Sequence, residues 1–97
     1  MSDTIEATAV RVLRQYPVQR AALFGSAARG DMNPDSDIDM LVEFFPGTIG
    51  INFFGLHVDL EEAYGRHVDL LTFDALNDAK PSFKQAVEKE TRLFYER

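Results

Sequence analysis

The chain has 97 residues, of which 45% are hydrophobic and 27% charged, and it contains no cysteine. That is the size and composition of one small globular domain, so residues 1–97 are expected to form a single domain; disorder, a disulfide scaffold, a thiolate metal site and a cysteine nucleophile are excluded. No apolar run approaches the ~20 residues a membrane helix needs, so no membrane association is expected, and no basic start followed by an apolar stretch marks a secretory leader, which makes the cytoplasm the expected location. Sixteen acidic against ten basic residues give a net charge of −6. That balance disfavours direct nucleic-acid binding, and a small anionic ligand would need local backbone N–H groups, an arginine or a bound cation.

In chain order, Ile5, Ala9, Val12, Leu13 and Tyr16 recur at helical spacing, with Ser2, Asp3 or Thr4 as caps and Pro17 as the stop. Ala21–Phe24 is a short apolar run closed by Gly25, which reads as a buried strand. Ser26 to Arg29 opens a short helix that Gly30 ends. Asp31 to Ser36 has the composition of a turn. Ile38, Met40 and Val42 alternate with their neighbours, predicting a strand. A loop with Pro46, Gly47 and Gly50 follows, then a helix over Ile51 to Tyr64 with Gly65 as its C-cap. His67 to Phe73 predicts a third strand and Pro81 to Lys89 a helix. Thr91 to Tyr95 is either a last strand or a continuation of that helix. His57-Val58-Asp59-Leu60 recurs as His67-Val68-Asp69-Leu70, too short an echo for a repeat architecture. The first copy belongs to the helix, with Asp59 solvated, and the second to the strand.

The stretch that carries chemistry joins Phe24-Gly25-Ser26-Ala27-Ala28-Arg29-Gly30 to Ser36-Asp37-Ile38-Asp39-Met40-Leu41-Val42. Side chains alternate across a strand, so Asp37 and Asp39 project from one face. Two carboxylates on an otherwise apolar strand repel each other, and burial raises their pKa values; divalent cations between them make the arrangement reasonable. Gly25 lets backbone approach a ligand, Ser26 adds a hydroxyl and Arg29 a possible fork to phosphate oxygens. Asp69, alone in an apolar strand, is costly unless paired or bound to metal. A phosphate cradle beside paired carboxylates is the equipment of metal-assisted phosphoryl or nucleotidyl transfer.

Competing motifs fail on their spacing. Gly25 to Gly30 matches the opening of an ATPase phosphate loop, but Asp31-Met32 stands where lysine and a hydroxyl residue are required. Asp31 to Asp35 resembles the start of a calcium loop, yet Ser36 and Val42 occupy the positions that demand glycine and glutamate. Ser26 lacks the second glycine of a hydrolase elbow, and nothing in the sequence singles out His57 or His67 as its base.

Taken together, Gly25-Ser26, Asp37-x-Asp39 and the later Asp69 resemble the DNA polymerase beta-like nucleotidyltransferase superfamily, and most closely its minimal nucleotidyltransferases, over about Ala21 to Thr72. The resemblance implies an α+β fold, and proteins of this kind are often antitoxins paired with a helical HEPN ribonuclease toxin. It implies transfer of AMP from ATP to a tyrosine hydroxyl of that toxin. On this carry-over Gly25 and Ser26 hold the triphosphate, and Arg29 either assists the phosphates or supports the loop. Asp37, Asp39 and Asp69 bind two Mg2+ ions, and Asp69 takes the acceptor proton.

The expected architecture is a small mixed, mainly antiparallel sheet with helices packed on one face, the strands Ala21–Phe24 and Ile38–Val42 being neighbours. No added substrate-binding domain is expected, so another protein or an exposed groove is expected to hold the acceptor, in a homo- or hetero-oligomer. An alternative reading is a non-catalytic antitoxin that neutralises its partner by covering it. Phe44, Phe45, Ile49, Ile51, Phe53 and Phe54 crowd one short segment, and an exposed part of it would mark an interface.

Overall fold

Ala21, Ala22 and Leu23 are fully buried and Phe24 nearly so, which happens to consecutive strand residues only when both faces of the sheet are covered. They lie in an inner strand of a four-stranded sheet. The computed structural model describes residues 2–30 and 35–97. Its elements are α1 (Ser2–Leu13), β1 (Val18–Phe24), α2 (Gly25–Arg29), β2 (Ile38–Phe44), α3 (Gly50–Tyr64), β3 (Val68–Thr72), α4 (Phe73–Asn77), α5 (Pro81–Glu90) and β4 (Arg92–Glu96). The sheet order is β3-β2-β1-β4. β1 runs antiparallel to β2 and β4, and β3 runs parallel to β2. The expected mixed, mainly antiparallel α+β sheet is therefore present, with the two motif strands adjacent.

One detail of that expectation is corrected: helices cover both faces. Ala21, Leu23, Met40 and Val42 face Leu13 of α1 and Leu56 and Leu60 of α3 in the larger core. Their alternates Ala22, Phe24 and Leu41 face Leu76 of α4 and Val87 of α5 in a smaller one. The signal was the unbroken apolar run itself, since a strand with one wet face would alternate.

The boundaries shift where backbone pairing outweighs side-chain pattern. β1 begins at Val18 because its main chain already pairs with Phe44 of β2. β3 stops at Thr72, whose hydroxyl accepts the Ala75 N–H at 3.0 Å and starts the one-turn α4, an element the sequence reading put partly in the strand. Thr91 ends α5 by donating its hydroxyl to the Val87 carbonyl at 2.6 Å. Arg92–Glu96 then pairs with β1 as the edge strand, settling the two options left open for this segment. Gly30 and Gly65 cap α2 and α3 in the left-handed conformation at φ 78° and 68°. The turn expected over Asp31 to Ser36 lies largely outside the described residues, as do the side chains of the expected caps Ser2, Asp3 and Thr4. Among the described residues no helix is long and apolar enough to cross a membrane.

Candidate active site

The parallel pairing of β2 with β3 sets the site. Its register places Asp39 opposite Asp69, so both side chains leave the same face of the sheet. Ile38 and Val68 turn into the larger core, which sends their neighbours to the α4/α5 side. Asp37 stands two residues before Asp39 and shares that side. Across the antiparallel edge, Phe24 pairs with Asp39, and Gly25 follows as the first residue of α2. The three aspartates, Asp69 far along the chain from the other two, thus gather at one end of the sheet beside the β1–α2 bend.

The gathering has an electrostatic consequence at Asp39. Partial burial pushes its carboxyl up to about 6; the charge of Asp69, a hydrogen bond with Asp69 and the charge of Asp37 add to the rise, and Arg29 opposes it. Asp37 and Asp69 are exposed. An oxygen-rich set of like charges, one of them already resisting ionisation, fits a hard divalent cation, which would relieve the repulsion. Gly25 fits the same picture. Its φ is +64°, and a Cβ placed on it would lie 2.5 Å from Asp39 Oδ2. The bend therefore needs glycine twice over, for its backbone conformation and for the carboxylate packed against it.

Ser26 follows in the first turn of α2 and is half-buried. Arg29, at the end of α2, lies 2.8 Å from Glu90 of α5 through Nη1. Its guanidinium is near enough to Asp39 to oppose the rise of that carboxyl's pKa, and it also pairs with the helix that covers this face of the sheet.

A further group went unread in the sequence. The two histidines of the echo meet around Glu61 of α3. His67 Nδ1 lies 2.8 Å and His57 Nε2 3.3 Å from Glu61 Oε2, which also accepts the Val68 N–H at 3.0 Å. His57 Nε2 donates to the Val68 carbonyl at 2.8 Å. The other nitrogen of His67, Nε2, lies 3.6 Å from Asp69 Oδ1. Burial pulls the His67 pKa down, but the carboxylates of Asp37, Glu61 and Asp69 outweigh it and raise it. The Val68 N–H bond, reinforced by both imidazoles, lowers that of Glu61. The available signal was Glu61 at i+4 from His57 on a helix, with the second histidine directly before the strand. Asp59, expected to be solvated, instead accepts a 2.5 Å hydrogen bond from the Tyr16 hydroxyl.

Comparison with known proteins gives the chain a family and a shared fold. The nucleotidyltransferase domain profile matches residues 5–94. A proposed protein adenylyltransferase of Methanocaldococcus jannaschii is 38% identical over 75 residues, covering 77% of this chain and 81% of the relative. Protein adenylyltransferase MntA of Thermococcus cleftensis is 33% identical over 75 residues, covering 75% and 76%. Among solved structures, a toxin–antitoxin crystallised with AMP-PNP superposes with a TM-score of 0.73 at 26% identity, covering 95% of this chain and 73% of that one. A chain from the Shewanella oneidensis complex of a tri-AMPylated HEPN toxin with its MNT antitoxin is 23% identical and shares the fold, with a TM-score of 0.69 over 100% of this chain and 74% of that one.

Proposed function

The chain belongs to the nucleotidyltransferase domain family, and we propose that this protein is an antitoxin that transfers AMP from ATP to a tyrosine hydroxyl of a HEPN-type toxin. The observation that carries the reading is the meeting of Asp39 and Asp69 across a parallel register, with Asp37 on the same face and Gly25 packed against Asp39. The relatives named protein adenylyltransferase and the neighbour crystallised with an ATP analogue support the choice of reaction.

In this mechanism Asp37, Asp39 and Asp69 would hold two Mg2+ ions, which would neutralise the triphosphate and stabilise charge on the reacting oxygens. Gly25 and Ser26 receive the phosphates at the start of α2, and Arg29 supports them from its end. The tyrosine oxygen attacks the α-phosphorus, the bond to the β-phosphate oxygen breaks, and pyrophosphate leaves. Asp69, the more exposed of the Asp39–Asp69 pair, accepts the phenolic proton. A hydroxyl with an ordinary pKa near 10 needs such an acceptor at neutral pH.

The test is nucleotide transfer from labelled ATP to the purified toxin by Asp37→Asn and Asp39→Asn. Each substitution is expected to cut transfer at least ~100-fold, since losing a ligand should cost no less than losing a group that merely supports one. Full transfer by both would refute the assignment. A second reading has its own observation: Ile51, Phe54 and Val58, three and four residues apart on α3, are 85%, 73% and 49% exposed. A partner covering that apolar stripe would be neutralised without chemistry. The same Asp39→Asn protein separates the two, because a covering antitoxin still neutralises at equal concentration and a catalytic one does not.

A further inference from the structure

The sheet end carries a nitrogen that the oxygen-only description of the site leaves out. His67 is held by a carboxylate on one side and faces carboxylates on the other. Its Nδ1 is 2.8 Å from Glu61 Oε2, and a carboxylate oxygen there can only accept, so the proton sits on Nδ1. When the ring is neutral, Nε2 carries its lone pair 3.6 Å from Asp69 Oδ1, an approach that a cation between the two atoms would make favourable. Ligand atoms of Asp37, His67 and Asp69 all lie within 4.8 Å of one another. Around an ion with bonds of ~2.1 Å such atoms stand at most ~4.2 Å apart, a gap that small rotations of three exposed side chains close. Glu61 is itself fixed by the Val68 N–H. A carboxylate orienting the far nitrogen of an imidazole is the arrangement that sets tautomer and basicity in metal-ligating histidines.

We propose that Asp37, His67 Nε2 and Asp69 form a two-oxygen, one-nitrogen cation site, with Glu61 as its positioning residue, that takes a borderline-soft divalent transition ion such as Zn2+ in preference to Mg2+. The chemical reason is that an imidazole nitrogen adds affinity for late first-row ions and little for magnesium, which demands oxygen. Three protein ligands leave a fourth position open to water or to a phosphate oxygen. The inference rests on the proposed reading of Asp37 and Asp69 as cation ligands. An ion seated there engages two of the three carboxylates assigned to magnesium, so zinc is expected to compete with it.

The experiment is calorimetric titration of the full chain with zinc chloride and, separately, magnesium chloride, at mildly alkaline pH, which favours the neutral imidazole. Long-range proton–nitrogen spectra of the histidines accompany it. The sequence has two histidines, so His57→Gln assigns them. Zinc is expected to bind at least ~10-fold more tightly than magnesium and to shift His67 Nε2. His67→Gln, at a half-exposed position that the fold tolerates, lowers zinc affinity ~10-fold or more while magnesium affinity changes less than ~3-fold; Glu61→Gln lowers zinc affinity by a smaller factor. If zinc shifts only His57 or neither imidazole, or if His67→Gln weakens both ions alike or neither, the nitrogen ligand is overturned while magnesium binding keeps the carboxylate site. If the wild-type chain binds neither ion, both fall together.

Discussion

Asp39 bears the electrostatic cost of the site, and that cost is measurable in the absence of metal. Its folded pKa is raised from 3.8 to about 6, so the folded state holds the proton more tightly than the unfolded chain does. The stability it contributes is full below pH ~4 and is lost as the pH rises through about 6. After chelation, Asp39→Asn is expected to melt higher than the wild type at neutral pH, with the difference vanishing near pH 4, in thermal scans across that range. Gly25 sits at the other side of the same carboxylate. Gly25→Ala is expected to lose ~1–2 kcal/mol to the left-handed backbone and to displace Asp39, abolishing transfer. Gly30→Ala is the control, since its φ is also positive, +78°, but among the described residues nothing lies within 4 Å of the added Cβ. It should lose comparable stability in denaturant titrations and keep transferring; loss of transfer in both would detach the effect from Asp39. The Asp-x-Asp spacing made Asp37 and Asp39 visible in the sequence. His67 and Glu61 were hidden, because one belongs to a strand entry and the other to a helix face that a linear reading treats as solvated.

Elements were legible in proportion to their local signal. α3 carries apolar residues on every side, including the exposed Ile51, Phe54 and Val58, and was still read within one residue because Gly65 stops it. α4 was missed because five residues give no periodicity to detect. β4 was ambiguous because its partner, β1, lies some seventy residues earlier, and only pairing decides between strand and helix. Contacts between elements raise a second point about α3. Gly55 leaves room for Tyr16, whose hydroxyl would stand 2.9 Å from an added Cβ, and Tyr16 reaches past it to Asp59. That hydrogen bond, with burial and the Asp59 charge, pushes the Tyr16 pKa up to about 12. Gly55→Ala gains ~1 kcal/mol of helix propensity but pushes the ring off Asp59, so net stability should change little. Ultraviolet titration of tyrosinate should show the Tyr16 pKa falling back toward 10. An unchanged titration would mean that the ring accommodates the methyl without losing the bond.

At the scale of the molecule, a −6 chain with one apolar helix stripe and one acidic sheet end offers two separate surfaces to a partner. Ile51→Ser with Phe54→Ser, at positions 85% and 73% exposed, should alter the free protein's stability by no more than ~0.5 kcal/mol per site. It should weaken toxin binding in calorimetry if α3 is the docking face; unchanged affinity would remove it from the interface. The sequence by itself determined the α+β class, most of the strands and helices, the glycine-serine bend and the acidic pair at 37 and 39, because each rests on spacing within a few residues. The tertiary structure alone decided that Asp69 faces Asp39, that helices cover both sides of the sheet, and that Glu61 turns His67 toward the aspartates. Those facts depend on strand register and on contacts between residues far apart in the chain, which no local pattern encodes.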